Sequence, residues 1–231
     1  MKRIGKYTIT RHVGEGRYSN CYLANSSDDF GSAVVIKRFK PGIFSRNKDK
    51  NYFEAVILSQ LKHSGIPELL GVVNEGRFYG FVLEYKQGRT VKDMLFKDKH
   101  KFAKEEIYDI GTRLIEIIKY IHGAGVVHRD IRIPNVVIDG SEVYLIDFGL
   151  ARWAQYGKYQ FDLDFSFLGD FFLYLLYSTF QQKEKTKKSP WHQELNLTPL
   201  QRAFLKRLLG IEGYFLNAEE VGIAFEAAFR L

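Results

Sequence analysis

The sequence predicts an α+β fold in two lobes: an antiparallel sheet with one main helix, followed by a mainly helical lobe. Three observations carry that expectation. Up to about residue 84, apolar residues come in short β-branched runs punctuated by Gly and Pro. After Gly88 they recur at helical spacing. The 231 residues, 45% hydrophobic and 26% charged, can build one large domain or two small lobes sharing a cleft, with a sizeable core and no staples.

Each element follows in order. "YTITRHVGEG" and "NCYLANS" read as strands on either side of a glycine turn, and "SAVVIKRF" as a strand bounded by Gly31 and Pro41. "KNYFEAVILSQLKH" changes to helical spacing, with Phe53, Ile57 and Leu61 on one face. "LLGVVNEG" and "RFYGFVLEY" make a hairpin around Gly76. Beyond a hinge near Glu84–Gly88, "TVKDMLF" predicts a short helix and "AKEEIYDIGTRLIEIIKYIHGAG" a long one that ends at glycines. "VVIDGSEVYLI" predicts a second hairpin, and helices are expected over 163–180, 198–209 and 217–229. The boundaries expected are 1–84 for the first lobe and 85–231 for hinge and second lobe, in a single domain spanning 1–231.

Composition narrows the classes. The lone Cys21 excludes an internal disulfide framework, and residues 1–16 lack an apolar leader core, so a cytoplasmic setting is expected. The most lipid-like stretch, "FSFLGDFFLYLLYSTF" at 165–180, is too short to span a membrane and contains Asp170; a buried helix is expected. A net charge of +7 fits an anionic ligand or partner, or merely a solvated basic face.

The chemistry sits in a few spaced motifs. In "GEGRYSNCYLA", Gly14 and Gly16 let the backbone lie close over phosphates and present N–H donors, though an ordinary hairpin turn uses the same residues. Lys37 ends the apolar strand "VVIK" and, if it faces a cleft, supplies a point charge for phosphate oxygens; on an exposed edge it is only solvated. Glu54, 17 residues later on the predicted helix, could orient Lys37 or be a surface glutamate. "HRDIRIPN" is more specific. It places Asp130 five residues before Asn135, and "DFG" places Asp147 twelve beyond that. Phosphoryl transfer needs a positioned nucleophile and cations on the phosphates. Asp130 can accept a hydroxyl proton, while Asn135 and Asp147 offer hard oxygens to Mg²⁺.

On these motifs the chain resembles the eukaryotic-type (Hanks-type) protein kinases over nearly its whole length, in a compact, bacterial-like serine/threonine form. The resemblance implies a two-lobed kinase fold, ATP and Mg²⁺ as cofactors (with Mn²⁺ able to replace it), and a protein substrate. Gly14, Glu15, Gly16 and Arg17 would then lie over the nucleotide phosphates, with Lys37 on the α/β-phosphates and Glu54 as its partner. Leu83 would be the gatekeeper, with Glu84 and Lys86 giving backbone bonds to adenine. Asp130 matches the catalytic base, Arg132 stands where relatives keep a lysine near the γ-phosphate, and Asn135 and Asp147 match the metal ligands. Asp164 and Gly169 resemble the start of the buried helix that anchors the catalytic loop.

Departures from the family pattern bear on regulation and substrate. Ser19 replaces a phosphate-loop glycine and Cys21 the following valine. Asp147 and Asp164 are only 17 positions apart, no "APE" appears, and Phe215 stands where an arginine would pair with that missing glutamate. Losing both members avoids a lone buried charge. Residues 150–163 contain no Ser or Thr, so Tyr156 and Tyr159 are the only loop hydroxyls, and Arg129 has no obvious phosphate to grip. A shortened, constitutively ordered activation segment is expected, a reduced design shared by small atypical kinases of the RIO kind. Autophosphorylation would fall on Ser45, Thr186 or Ser189 in the basic stretches 37–50 and 181–193, which could also dock an acidic or nucleic-acid-associated partner. Two other functions compete with an active protein kinase: a small-molecule kinase and a nucleotide-binding scaffold without turnover.

Overall fold

The computed structural model describes residues 3–16, 18–27, 32–40, 48–75, 78–154, 158–181 and 189–230, with backbone alone for 48–52. Arg17, Ser45, Gly76, Tyr156, Thr186 and the core of both basic stretches lie outside the described residues. The chain divides into two compact units, Met1–Lys86 and Gln87–Leu231.

The described residues of the first unit form a six-stranded antiparallel sheet with one helix. Its strands are β1 (Arg3–Ile4), β2 (Tyr7–Glu15), β3 (Ser19–Ser26), β4 (Ala33–Phe39), β5 (Leu69–Glu75) and β6 (Phe78–Glu84), ordered β1-β2-β3-β4-β6-β5. Alternation along β4 sets the two faces. Val34 and Ile36 join Ala24, Val73, Phe78 and Val82 in one apolar cluster. Lys37 lies on the other face with Phe39, whose ring meets Phe81 edge-on at 5.0 Å. Helix α1 (Lys48–Gln60) buries Glu54, Ile57 and Leu58, and Leu61 continues that apolar face just past its end. Gly14 is not in the turn that the sequence suggests. It pairs with Cys21 inside β2, beside a register shift between His12 and Gly14, so the turn begins only at Gly16.

In the second unit, α2 (Val91–Phe96) starts at Thr90, whose hydroxyl accepts from the Asp93 amide at 3.1 Å. Helix α3 (Lys104–Gly123) buries a regular apolar stripe including Ile107, Leu114, Ile118 and Ile121, and ends where Gly125 adopts φ 71°. Around it lie α4 (Asp162–Tyr177), the single turn α5 (Trp191–Glu194), α6 (Pro199–Leu208) and α7 (Ala218–Phe229). Phe172 of α4 stacks on Phe225 and Phe229 of α7 at 5.2 and 5.8 Å. This close packing needs Gly111 on α3, since a Cβ there would fall 2.2 Å from the Phe225 ring. The "LGDFF" stretch lies in a helix that buries Leu168, Gly169, Phe171 and Phe172 and leaves Asp170 exposed, and no described helix is long and apolar enough to cross a membrane.

Short strands complete this unit. β7 (Arg89–Thr90), β9 (Val136–Asp139) and β10 (Glu142–Leu145) form one small sheet. β8 (Val126–Val127) pairs antiparallel with β11 (Arg152–Trp153) in another, and the Ala154 amide donates to the Gly125 carbonyl at 2.7 Å. Two-residue strands have no period to read, which is why β7, β8 and β11 carry no signal in the sequence.

Candidate active site

In the first unit the Lys37 Nζ donates to both carboxylate oxygens of Glu54, at 2.7 and 2.8 Å. Their side chains are only 7% and 2% exposed. Strand alternation turns Lys37 to the α1 side, and the helix brings Glu54 to meet it, so the pair joins sheet to helix. Its removal from water is costly, and either charge left alone would cost about 3–5 kcal/mol.

The other first-unit candidates are placed individually. The Gly16 amide donates to the Ser19 carbonyl at 2.8 Å, closing the turn and removing that amide as a phosphate donor. Among the described residues nothing lies within 4 Å of a Cβ added at Gly14. Glu15 pairs with Lys40 at 2.5 Å, and that hydrogen bond holds its carboxyl below the usual range. Leu83 is buried in β6. The Glu84 amide donates to the Glu68 carbonyl at 2.9 Å, so it is not available to adenine, while the Lys86 Nζ lies 2.7 Å from the Glu84 carboxylate.

In the second unit the loop after β8 alternates: Ile131 and Ile133 are 0% and 7% exposed, which turns Arg132 outward. The Ile133 carbonyl accepts from the Lys92 amide of α2 at 2.9 Å. The Asn135 Nδ2 donates to the Asp130 carbonyl at 2.9 Å and to its Oδ2 at 2.7 Å. The Arg132 Nε meets the other carboxylate oxygen, Oδ1, at 2.5 Å, and this bond holds Arg132 above the usual guanidinium range. Asp130, Arg132 and Asn135 therefore form one network.

A buried carboxylate supports that network from behind. Asp164, 0% exposed in the first turn of α4, accepts from the His128 amide at 2.8 Å and the Arg129 amide at 2.7 Å. His122 Nε2, from the end of α3, lies 2.9 Å from Asp164 Oδ2. These bonds hold Arg129 at φ 68°, a left-handed conformation that costs a non-glycine residue about 1–2 kcal/mol. Gly169 completes the anchor: a Cβ there would lie 2.9 Å from Leu209.

Asp147 is exposed and also left-handed, at φ 64°, with its Oδ1 accepting from the Gly149 amide at 3.3 Å. Phe148 next to it is buried and meets the His128 ring edge-on at 4.6 Å. Burial pushes the His128 pKa down, against the opposing pull of Asp164, Asp147 and Asp130. Past the DFG, Arg129 Nη1 donates to the Leu150 carbonyl at 3.0 Å, and its guanidinium lies 4.5 Å from the centre of the Tyr159 ring. The Phe161 ring lies tilted against that of His122, their centres 4.2 Å apart. Sequence reasoning looked to Tyr159 only for its hydroxyl and missed His122 altogether.

The loop between α6 and α7 has its own fastening. Phe215 is 2% exposed beneath the Arg207 guanidinium, 4.0 Å from its ring centre. Arg207 also pairs with Glu220 at 2.9 Å. The position that lacks an arginine is thus covered by one from the preceding helix.

A divalent cation fits the second unit by its donor chemistry. The nitrogen end of the Asn135 amide is spent on Asp130, which leaves the amide oxygen as the end suited to a hard cation. The exposed Asp147 carboxylate is the other candidate ligand. No cluster of three or more His, Cys, Asp or Glu able to hold a metal occurs among the described residues. Two protein ligands suit Mg²⁺, which keeps several waters and phosphate oxygens of its substrate.

Residues 7–168 match the protein kinase domain family. Over 225 residues the chain is 34% identical to the "Probable serine/threonine-protein kinase YbdM" of Bacillus subtilis (strain 168), covering 94% of this chain and 86% of that protein. It is 32% identical to the "Serine/threonine-protein kinase MAK" of Homo sapiens over 151 residues, and 30% identical to the "Serine/threonine-protein kinase ICK" of Mus musculus over the same length. Those two matches take in 64% of this chain and only 24% of each relative. With more than half of its length matched by the domain family and nearly all of it by a bacterial relative, the chain belongs to the protein kinase family.

Proposed function

We propose that this protein kinase transfers the γ-phosphoryl group of ATP to serine or threonine hydroxyls of proteins, its own included. In the first unit Lys37, held by Glu54, neutralises α/β-phosphate charge, and Gly14, Glu15, Gly16 and Arg17 form the phosphate loop. Leu83 closes the adenine site, where Glu84 and Lys86 contribute backbone groups, Glu84 by means other than its engaged amide. In the second unit Asp130 orients the acceptor hydroxyl and takes its proton as the new P–O bond forms and ADP leaves. Arg132 releases Asp130 to face the γ-phosphate. Asn135 and Asp147 hold Mg²⁺, or Mn²⁺ in its place, which supplies charge neutralisation on the phosphates when bound.

The observation that carries this reading is the Asp130–Arg132–Asn135 network on a loop anchored by the buried Asp164. A turn serving structure alone has no use for a cation and an amide converging on one carboxylate. The segment from Asp147 to Asp164 we read as a shortened activation segment, ordered without phosphorylation. Its short length offers little shelf for an extended peptide, so substrate recognition falls to other surfaces, the basic stretches among them for an acidic or nucleic-acid-associated partner. A single cysteine fits a cytoplasmic setting. The boundaries 1–84 and 85–231 describe the two lobes of one catalytic domain.

The test is incubation of the purified protein with Mg·ATP labelled at the γ-phosphate, together with casein and histone, followed by phosphoamino-acid analysis. Label on serine or threonine supports the reading. Label on added small molecules alone indicates a small-molecule kinase, and nucleotide binding with no transfer indicates a scaffold.

A further inference from the structure

We infer that Tyr159 is a positioning residue, its ring acting as the seat that holds Arg129 and, through it, the loop carrying Asp130. The inference rests on the reading of Asp130 as the group at the acceptor hydroxyl. It goes beyond that reading by naming what replaces a phosphate.

Arg129 is unusually constrained. Its backbone is left-handed at φ 68°, and its amide is bound by Asp164 at 2.7 Å. Among the described residues its side chain has one hydrogen bond, from Nη1 to the Leu150 carbonyl at 3.0 Å, and its buried Nε has no partner there. No carboxylate pairs with this guanidinium among the described residues. Its compensation is the face of Tyr159, with the guanidinium carbon 4.5 Å from the ring centre. A planar, weakly hydrated guanidinium is the cation best suited to such a seat. Lys158 Nζ also approaches this ring, at 5.5 Å from its centre.

The consequence follows from chain order. Arg129 touches the segment at two places, Leu150 before residues 155–157 and Tyr159 after them. Between its backbone bond to Asp164 and its neighbour Asp130 there is no intervening residue. A side chain held at both points fixes the peptide that aims the Asp130 carboxylate. The ring face does this and the hydroxyl does not, so phosphate on this tyrosine is not needed.

The test compares phosphatase-treated wild type, Y159F and Y159A. It reads kcat and KM for ATP in transfer to casein, and hydrogen exchange of the amides of residues 150–154. Y159A should lower kcat by roughly three- to thirtyfold, the loss of one cation–π contact, with KM for ATP within about twofold. Its 150–154 amides should exchange faster. Y159F, which keeps the ring face, should stay within about twofold of wild type in both readouts. Unchanged kcat or unchanged exchange in Y159A overturns the inference. So does a Y159F defect matching that of Y159A, which would assign the effect to the hydroxyl. If wild type itself transfers no phosphate, the kinase reading fails separately, and exchange in Y159A still decides whether the ring holds the segment.

Discussion

Each unit holds a short ion pair among its candidate site residues, and the two pairs are built differently. Lys37 and Glu54 are 7% and 2% exposed, joined through both carboxylate oxygens. Arg132 is 55% exposed and reaches the nearly buried Asp130, at 11%, through a single oxygen. Opening the first pair would separate two buried charges at high cost, so it acts as a strut between β4 and α1. The second can exchange its partner for water or phosphate more readily, because its Arg132 half stands in solvent. A strut suits a lysine whose position must not vary; a loose pair suits a carboxylate that must be given up to an incoming hydroxyl.

Mutation can break this comparison, beginning with the largest effect. Glu54→Gln leaves Lys37 buried without a full counter-charge and should cost about 3–5 kcal/mol in urea unfolding. A variant as stable as wild type would show that the strut is not buried. Asp130→Asn should lower phosphoryl transfer by about 10²–10⁴-fold. It should keep nucleotide affinity and cost about 1–3 kcal/mol of stability, since the bonds that the nearly buried carboxylate makes to Arg132 and Asn135 are both disturbed. Fluorescence titration with nucleotide and urea unfolding check those two expectations. Arg132→Lys keeps the charge but loses the Nε bond, so kcat should fall by about fivefold, equivalent to one hydrogen bond of ~1 kcal/mol.

A change of pH tests the second unit separately. Burial holds His128 neutral in the fold, with its pKa lowered. An unfolded chain binds a proton on the same ring below about pH 6.5, so below that pH unfolding takes up the proton. Stability should therefore fall as pH drops from about 6.5, by up to ~1.4 kcal/mol per unit, and be flat in this contribution above it. In His128→Asn the pH slope between about 5 and 6.5 should be shallower by that amount.

Much of the site was legible because its groups are close in sequence. Asp130 and Asn135 share one loop, and alternating isoleucines in "IRI" set which side chains face inward. Lys37 and Glu54 were legible as a strand followed by a helix. What was not legible depends on groups brought from a distance. His122 reaches Asp164 across 42 positions, and nothing at a helix end marks it for that role. The fastening of Phe215 comes from Arg207 on the preceding helix, whereas an arginine was sought at position 215 itself. Tyr159 was weighed as an acceptor hydroxyl, and a ring face leaves no motif. Gly14 read as a turn residue because a bulged strand uses the same glycine.

The pairing of β8 with β11, closed by the Ala154–Gly125 bond, ties off the chain between Gly125 and Ala154. Asp130, Arg132, Asn135 and Asp147 all lie inside that closed stretch. With the ends already fastened, extra length inside costs little: doubling a flexible loop adds only about 0.6 kcal/mol of closure entropy. The exposed tip at Gly140–Ser141, between β9 and β10, is where the extra length would meet least packing. A peptide tag or a small inserted domain at that tip should be carried without loss of fold, which makes this hairpin the natural port for engineering the molecule.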